Sequence, residues 1–164
     1  MRRLLLIVVT LLLAACGFQL RGPLVLPFDT LYVPLPESAE LHSLIKRSVE
    51  TSSHTRIVAE PKSAQAILVI TSDTSARNIL SLNSAGQVRE LELQRTFTFR
   101  VHDSANRDLM PAGKIVVRRE ITYSDVQVLS KESEEALLWR DIQKDLVQQL
   151  LRRLATAKPK AEAG

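Results

Sequence analysis

The sequence predicts an α+β fold: a two-layer sandwich in which two helices cover one face of a four-stranded mixed sheet, in the order β-α-β-β-β-α. Three observations carry that prediction. Three long strand-like segments lie between Ala66 and Tyr123, separated only by short turn-forming stretches, as an antiparallel meander requires. Two other segments repeat apolar residues at the three- and four-residue spacing of an amphipathic helix. A short strand near Leu31 precedes the first helix, so it can join the sheet only through a crossover, which makes the sheet mixed.

The chain opens with Arg2-Arg3, an apolar run over residues 4–13, the small pair Ala14-Ala15, and the single cysteine, Cys16. Ten residues rise about 15 Å as a helix, half of a ~30 Å hydrocarbon core, so this is a secretory signal rather than a membrane span. Leu13-Ala14-Ala15-Cys16 resembles a bacterial lipobox, in which the cysteine is acylated and becomes the mature N-terminus. Acyl and diacylglycerol groups on Cys16 together exceed the two-signal threshold for stable anchoring. Gly17 follows, where an Asp would suggest retention at the inner membrane, so the signal resembles one that sorts to the outer membrane, facing the periplasm. The division expected is a signal peptide (1–15), a lipidated tether (16–28), one domain (29–155) and a disordered tail (156–164).

Within the domain, residues 29–35 form a short strand closed by Pro34 and Pro36. Ser38 is placed to cap a helix whose face carries Leu41, Leu44, Ile45 and Val49, ending near Thr51-Ser52-Ser53-His54. Residues 66–82 form the first long strand, and Asn83-Ser84-Ala85-Gly86 is a turn. Residues 88–103 alternate, with Leu91, Leu93, Phe97, Phe99 and Val101 on one face. A second turn spans residues 104–113, and the strand at 115–123 puts Ile115, Val117, Ile121 and Tyr123 at one parity. The last helix runs from Ser133 to about Ala155, with Leu138, Ile142, Leu146, Leu150 and Leu154 as its stripe and Arg152-Arg153 in the favoured last turn.

Little in this chain reads as catalysis. His42, His54 and His102 are scattered without metal-ligand spacing, no nucleophile elbow or phosphate-binding glycine loop occurs, and acylation consumes the only thiol. No enzyme activity, metal or cofactor is expected beyond the acyl groups on Cys16. Nucleic acid is also a poor partner. Without Arg2 and Arg3, Lys+Arg falls from 22 to 20 against 18 acids, and aromatic content is only 4%, too little for a stacking platform.

Two charges stand in unusual positions. Arg95 shares the parity of Leu93 and Phe97, and Arg119 that of Val117 and Ile121, so both point to the apolar face. A hairpin centred near Arg107 would set them directly opposite one another, where they repel unless something neutralises them. Two accounts stand open: helix acids such as Asp141 or Asp145 neutralise them inside the fold or a bulge turns one outwards, or else they hold a phosphate or carboxylate ligand.

Cys16-Gly17-Phe18-Gln19-Leu20-Arg21-Gly22 resembles the mature start of the lipopolysaccharide-assembly LptE family. Gly86-Gln87-Val88-Arg89-Glu90-Leu91 is similar to that family's second hairpin, and Arg119-Glu120-Ile121-Thr122-Tyr123-Ser124-Asp125 to its Arg-x-x-x-Tyr-x-Asp segment. The resemblance implies an outer-membrane lipoprotein that plugs the LptD β-barrel one to one, helps assemble it, and assists lipopolysaccharide into the outer leaflet. It also adds Arg140 to Arg95 and Arg119 as candidate contacts for lipopolysaccharide phosphate. The alternative is a periplasmic lipid carrier or scaffold with no barrel partner.

Overall fold

A computed structural model describes residues 24–123 and 128–158. The signal peptide, Cys16 and most of the expected tether lie outside those residues, as do the last six of the chain. The elements in order are β1 (Thr30–Tyr32), α1 (Glu40–Ser52), β2 (Arg56–Val58), a 3-10 turn (Pro61–Ser63), β3 (Ala66–Leu82), β4 (Val88–His102), β5 (Asp108–Thr122) and α2 (Val128–Leu154).

The two-layer α+β arrangement and the mixed sheet hold, but the sheet has five strands among the described residues rather than four, in the order β2-β1-β3-β4-β5. The extra strand is β2, whose three residues pair in parallel with all of β1: Thr30 with Arg56, Leu31 with Ile57, Tyr32 with Val58. Three residues are too few to show a period, which is why pattern alone passes over them. On its other side β1 meets β3 only at Ala66 and Ile67. Beyond that point the outer edge of β3 has no strand partner among the described residues.

Both helices pack on the same face as Leu93, Phe97, Phe99 and Ile115, all fully buried. From α2, Ile142, Leu146, Leu150 and Leu154 close this core, whereas Leu138 is only partly buried. The helix starts five residues earlier than expected, so Ser133 lies within it and a Lys131–Glu134 ion pair of 2.7 Å braces its early turns. Helix α1 begins one residue after Ala39 and no side chain caps it, so Ser38 does not take the expected capping role. At the far end of α1 the Ser53 hydroxyl donates to the Val49 carbonyl at 2.8 Å. The core also takes in Leu26 and Phe28, from the expected tether, and Ala157, from the expected tail.

The two hairpins close with one motif used twice. In the first, Asn83 Oδ1 accepts from the N–H groups of Ala85 and Gln87; in the second, Asp103 Oδ1 accepts from those of Ala105 and Arg107. Gly86 (φ 78°) and Asn106 (φ 59°) supply the left-handed residue at matching places. The second turn is thus five residues long rather than ten. Two register shifts follow in the β4–β5 ladder, between Phe99 and Val101 and between Val101 and His102. Pro111 falls where the ladder skips, so its missing N–H costs no strand bond. Gly113 opposite Phe99 leaves room for that ring, since a Cβ there would come within 2.6 Å of it.

Candidate functional site

The shorter turn changes the geometry at the two arginines. Arg95 pairs with Val117 and Arg119 with Leu93, so the two are diagonal neighbours on one face rather than directly opposed. Strand β3 adds a third guanidinium, because Arg77 stands opposite Leu93 and completes the row Arg77–Leu93–Arg119. The helix-covered face of the sheet therefore carries three arginines within two adjacent rows. Arg77 was legible in the sequence only as an ordinary charged residue; the bulges in β3 decide which face it takes.

Each guanidinium has an acidic partner. Asp73 grips Arg95 with both oxygens, at 2.8 and 2.7 Å, and Gln143 Oε1 from α2 accepts a third bond at 3.3 Å. Arg95 is thereby held by three bonds, with its side chain only 15% exposed. Its acid comes from the neighbouring strand rather than from the last helix. Arg119 makes a single contact with Asp145 of α2, at 3.1 Å, and one with the Arg118 carbonyl at 2.8 Å; its side chain is 36% exposed. Arg77 reaches Glu135 of α2 at 3.0 Å and is 60% exposed. Half-exposed single contacts of this kind hold a side chain weakly and leave it free to exchange partners. Arg140 lies elsewhere: it is exposed and bonds the Ala136 carbonyl of its own helix.

Gln143 adds a detail. Its Oε1 faces Arg95, which fixes the orientation of the amide, and its Nε2 is sealed from solvent with no partner among the described residues. A donor left in that state costs roughly 1–3 kcal/mol. The site is thus not relaxed to the lowest energy a polar cluster could reach.

One row beyond the arginines the face turns apolar. Ile79, Val88, Leu91, Tyr123 and Arg77 line a groove of about 350 Å³. Ile79, Leu80 and Leu82 are exposed at this end of the β3–β4 hairpin. Apolar surface bordered by guanidinium groups is complementary to an amphiphile that carries anionic and hydrocarbon parts. No helix among the described residues is long and apolar enough to cross a membrane.

Comparison with known proteins gives a consistent result. The chain resembles the solution structure of lipoprotein B from Nitrosomonas europaea at 35% identity and a TM-score of 0.72, covering 85% of this chain and 90% of that one. The rare lipoprotein B of Shewanella oneidensis is similar in fold at 24% identity (TM-score 0.66, covering 78% of this chain and 95% of that one). So is a minor lipoprotein of Acinetobacter baumannii at 21% identity (TM-score 0.63, covering 78% and 91%). A search of curated proteins returns no significant match. The family described as "LptE: Lipopolysaccharide-assembly" matches residues 28–154, which spans every strand and both helices. On that match the chain belongs to the LptE family of lipopolysaccharide-assembly lipoproteins.

Proposed function

We propose that this protein, anchored through acylated Cys16 on the periplasmic side of the outer membrane, plugs the LptD β-barrel one to one, helps it assemble, and contacts lipopolysaccharide on its way to the outer leaflet. The observation that carries the lipopolysaccharide contact is the end of the sheet where exposed Arg77 lines the apolar groove with Ile79 and Leu91, and partly exposed Arg119 stands one row from Leu91, in the same row as Arg77. Lipid phosphates suit the two arginines and acyl chains the two apolar residues. Of the three candidates read from the sequence, Arg119 is the one this geometry favours, since its single bond to Asp145 can be exchanged for a phosphate. Arg95 acts as a positioning residue that fixes the row, and Arg140 is a separate surface charge available to the same ligand only beyond the cluster.

Two measurements test this reading. Detergent extraction of the tagged full-length protein should bring down a β-barrel partner in equal amount; lipopolysaccharide binding with no barrel in the eluate would instead favour the lipid-carrier alternative. Arg119→Ala should weaken lipopolysaccharide binding about tenfold, as expected for a charge-assisted contact, with an unchanged melting temperature. Arg95→Ala should instead lower the melting temperature, because Asp73 loses both of its bonds. Unchanged lipopolysaccharide binding by folded Arg119→Ala would remove the arginine row from the site.

A further inference from the structure

The two acids through which α2 meets the arginine row are built alike. Glu135 Oε2 accepts from Arg77 at 3.0 Å, while its Oε1 accepts from the indole N–H of Trp139 at 3.2 Å. Asp145 Oδ2 accepts from Arg119 at 3.1 Å, while its Oδ1 accepts from the Gln149 amide at 3.3 Å. In both cases the second donor lies four residues further along the same helix, where side chains at that spacing meet. Each carboxylate is therefore tied to α2 by a bond that does not depend on its arginine. Glu135 is only 16% exposed against 60% for Arg77, so the acid is the fixed partner and the guanidinium the one that can swing. Asp73 is different: both of its oxygens are on Arg95, and it has no second donor among the described residues. Departure of Arg95 would strand that carboxylate, whereas Arg77 and Arg119 can leave theirs.

Three guanidinium groups within two adjacent rows would repel one another without these acids and would hold an arriving anion tightly. With the acids in place, a phosphate that takes Arg77 or Arg119 does so against a carboxylate that stays beside it. The same carboxylate recovers the arginine as the phosphate leaves. We infer that Glu135 and Asp145 are intramolecular competitors of the anionic ligand, which exchange Arg77 and Arg119 with incoming phosphate and speed its release. This rests on the phosphate contact proposed above for that row and adds its regulation: the site is set to pass a ligand on rather than to store it.

Titration of the full-length acylated protein with lipopolysaccharide, in dodecyl maltoside micelles, tests the competition. Asp145→Asn and Glu135→Gln keep the shape and an acceptor oxygen for Gln149 or Trp139 but remove the charge. Each should tighten binding about two- to fivefold, the range of an exposed ion pair, with the gain appearing as slower dissociation. Asp141→Asn is the control, because Asp141 stands one turn earlier on the same helix and pairs with Lys144 at 3.5 Å rather than with the row. It removes the same charge and should leave binding unchanged. Trp139, the only tryptophan of the chain, reports the exchange at Glu135 directly. Its emission should shift on lipopolysaccharide addition in the wild type and stay still in Arg77→Ala. An equal shift in Arg77→Ala, or equal tightening by Asp141→Asn and Asp145→Asn, overturns the inference. So does unchanged or weaker binding by folded Asp145→Asn and Glu135→Gln while Arg119→Ala still loses lipopolysaccharide; the phosphate contact then stands without its competitors. Wild-type binding by folded Arg119→Ala removes the phosphate contact itself, and the competition with it.

Discussion

Asp103 does three jobs with one carboxylate. Oδ1 accepts the backbone N–H groups of Ala105 and Arg107, while Oδ2 receives the Arg107 guanidinium at 2.7–2.8 Å. The Arg107 N–H bond foremost, with the Arg107 side chain and the Ala105 N–H, holds the carboxyl below the usual aspartate range against the opposing effect of desolvation. A carboxyl whose pKa is lower folded than unfolded stabilises the fold above its unfolded pKa, about 3.9, and loses that contribution as pH falls through the folded value. Asp103→Asn keeps an amide oxygen for the turn, as Asn83 does in the other hairpin, but cannot titrate. The wild type should therefore melt higher than Asp103→Asn at neutral pH, with the gap closing below about pH 3.9. A gap that persists unchanged into strong acid would show that the carboxylate charge is not what Arg107 and the turn use. At this scale the sequence was readable in parity but not in pairing. The alternation of β4 placed Arg95 among Leu93 and Phe97 correctly, because a period of two survives any register. Its cross-strand neighbour depended on the turn length and two register shifts, which no alternation reports.

Among the elements, α2 carries the clearest expectation. Leu146 is fully buried at the middle of a stripe that closes the core over β4 and β5. Leu146→Ala removes that packing and leaves a cavity, and should cost about 2–5 kcal/mol. Chemical denaturation is the check; a loss below about 1 kcal/mol would mean that the helix is held by its other contacts and the site collapses freely. The stripe was legible because Ile142, Leu146, Leu150 and Leu154 repeat every four residues. The helix start was not, since Ser133 offers a capping side chain whether or not the chain uses it. Nor was the recurrence of one turn in two sequences, Asn83-Ser-Ala-Gly-Gln and Asp103-Ser-Ala-Asn-Arg. Gly86 and Asn106 look unrelated until their shared left-handed backbone is seen.

For the molecule as a whole, the order of long elements and the mixed sheet followed from segment lengths and connections, while the fifth strand did not. The arginine row was half legible: Arg95 and Arg119 announced themselves by parity and Asp145 was among the helix acids expected to neutralise them, but Asp73 comes from a neighbouring strand whose pairing only the fold supplies. The proposed anchor, Cys16, rests on the sequence alone. Cys16→Ala should yield an uncleaved or unacylated protein that leaves the outer membrane on fractionation in cells lacking a barrel partner. A variant still cleaved and held there equally tightly would overturn the lipobox. The outer rim of β3 also bears on the protein's supply. Residues 68–82 contain no proline and no lysine, the side chains that ordinarily discourage a bare strand from adding another. With Ile79, Leu80 and Leu82 exposed along it, that rim is a ready template for β-aggregation when the chain is made in excess. Overexpression is therefore expected to fail first by strand-on-strand association of folded chains, before any unfolding, a failure set by one uncovered edge.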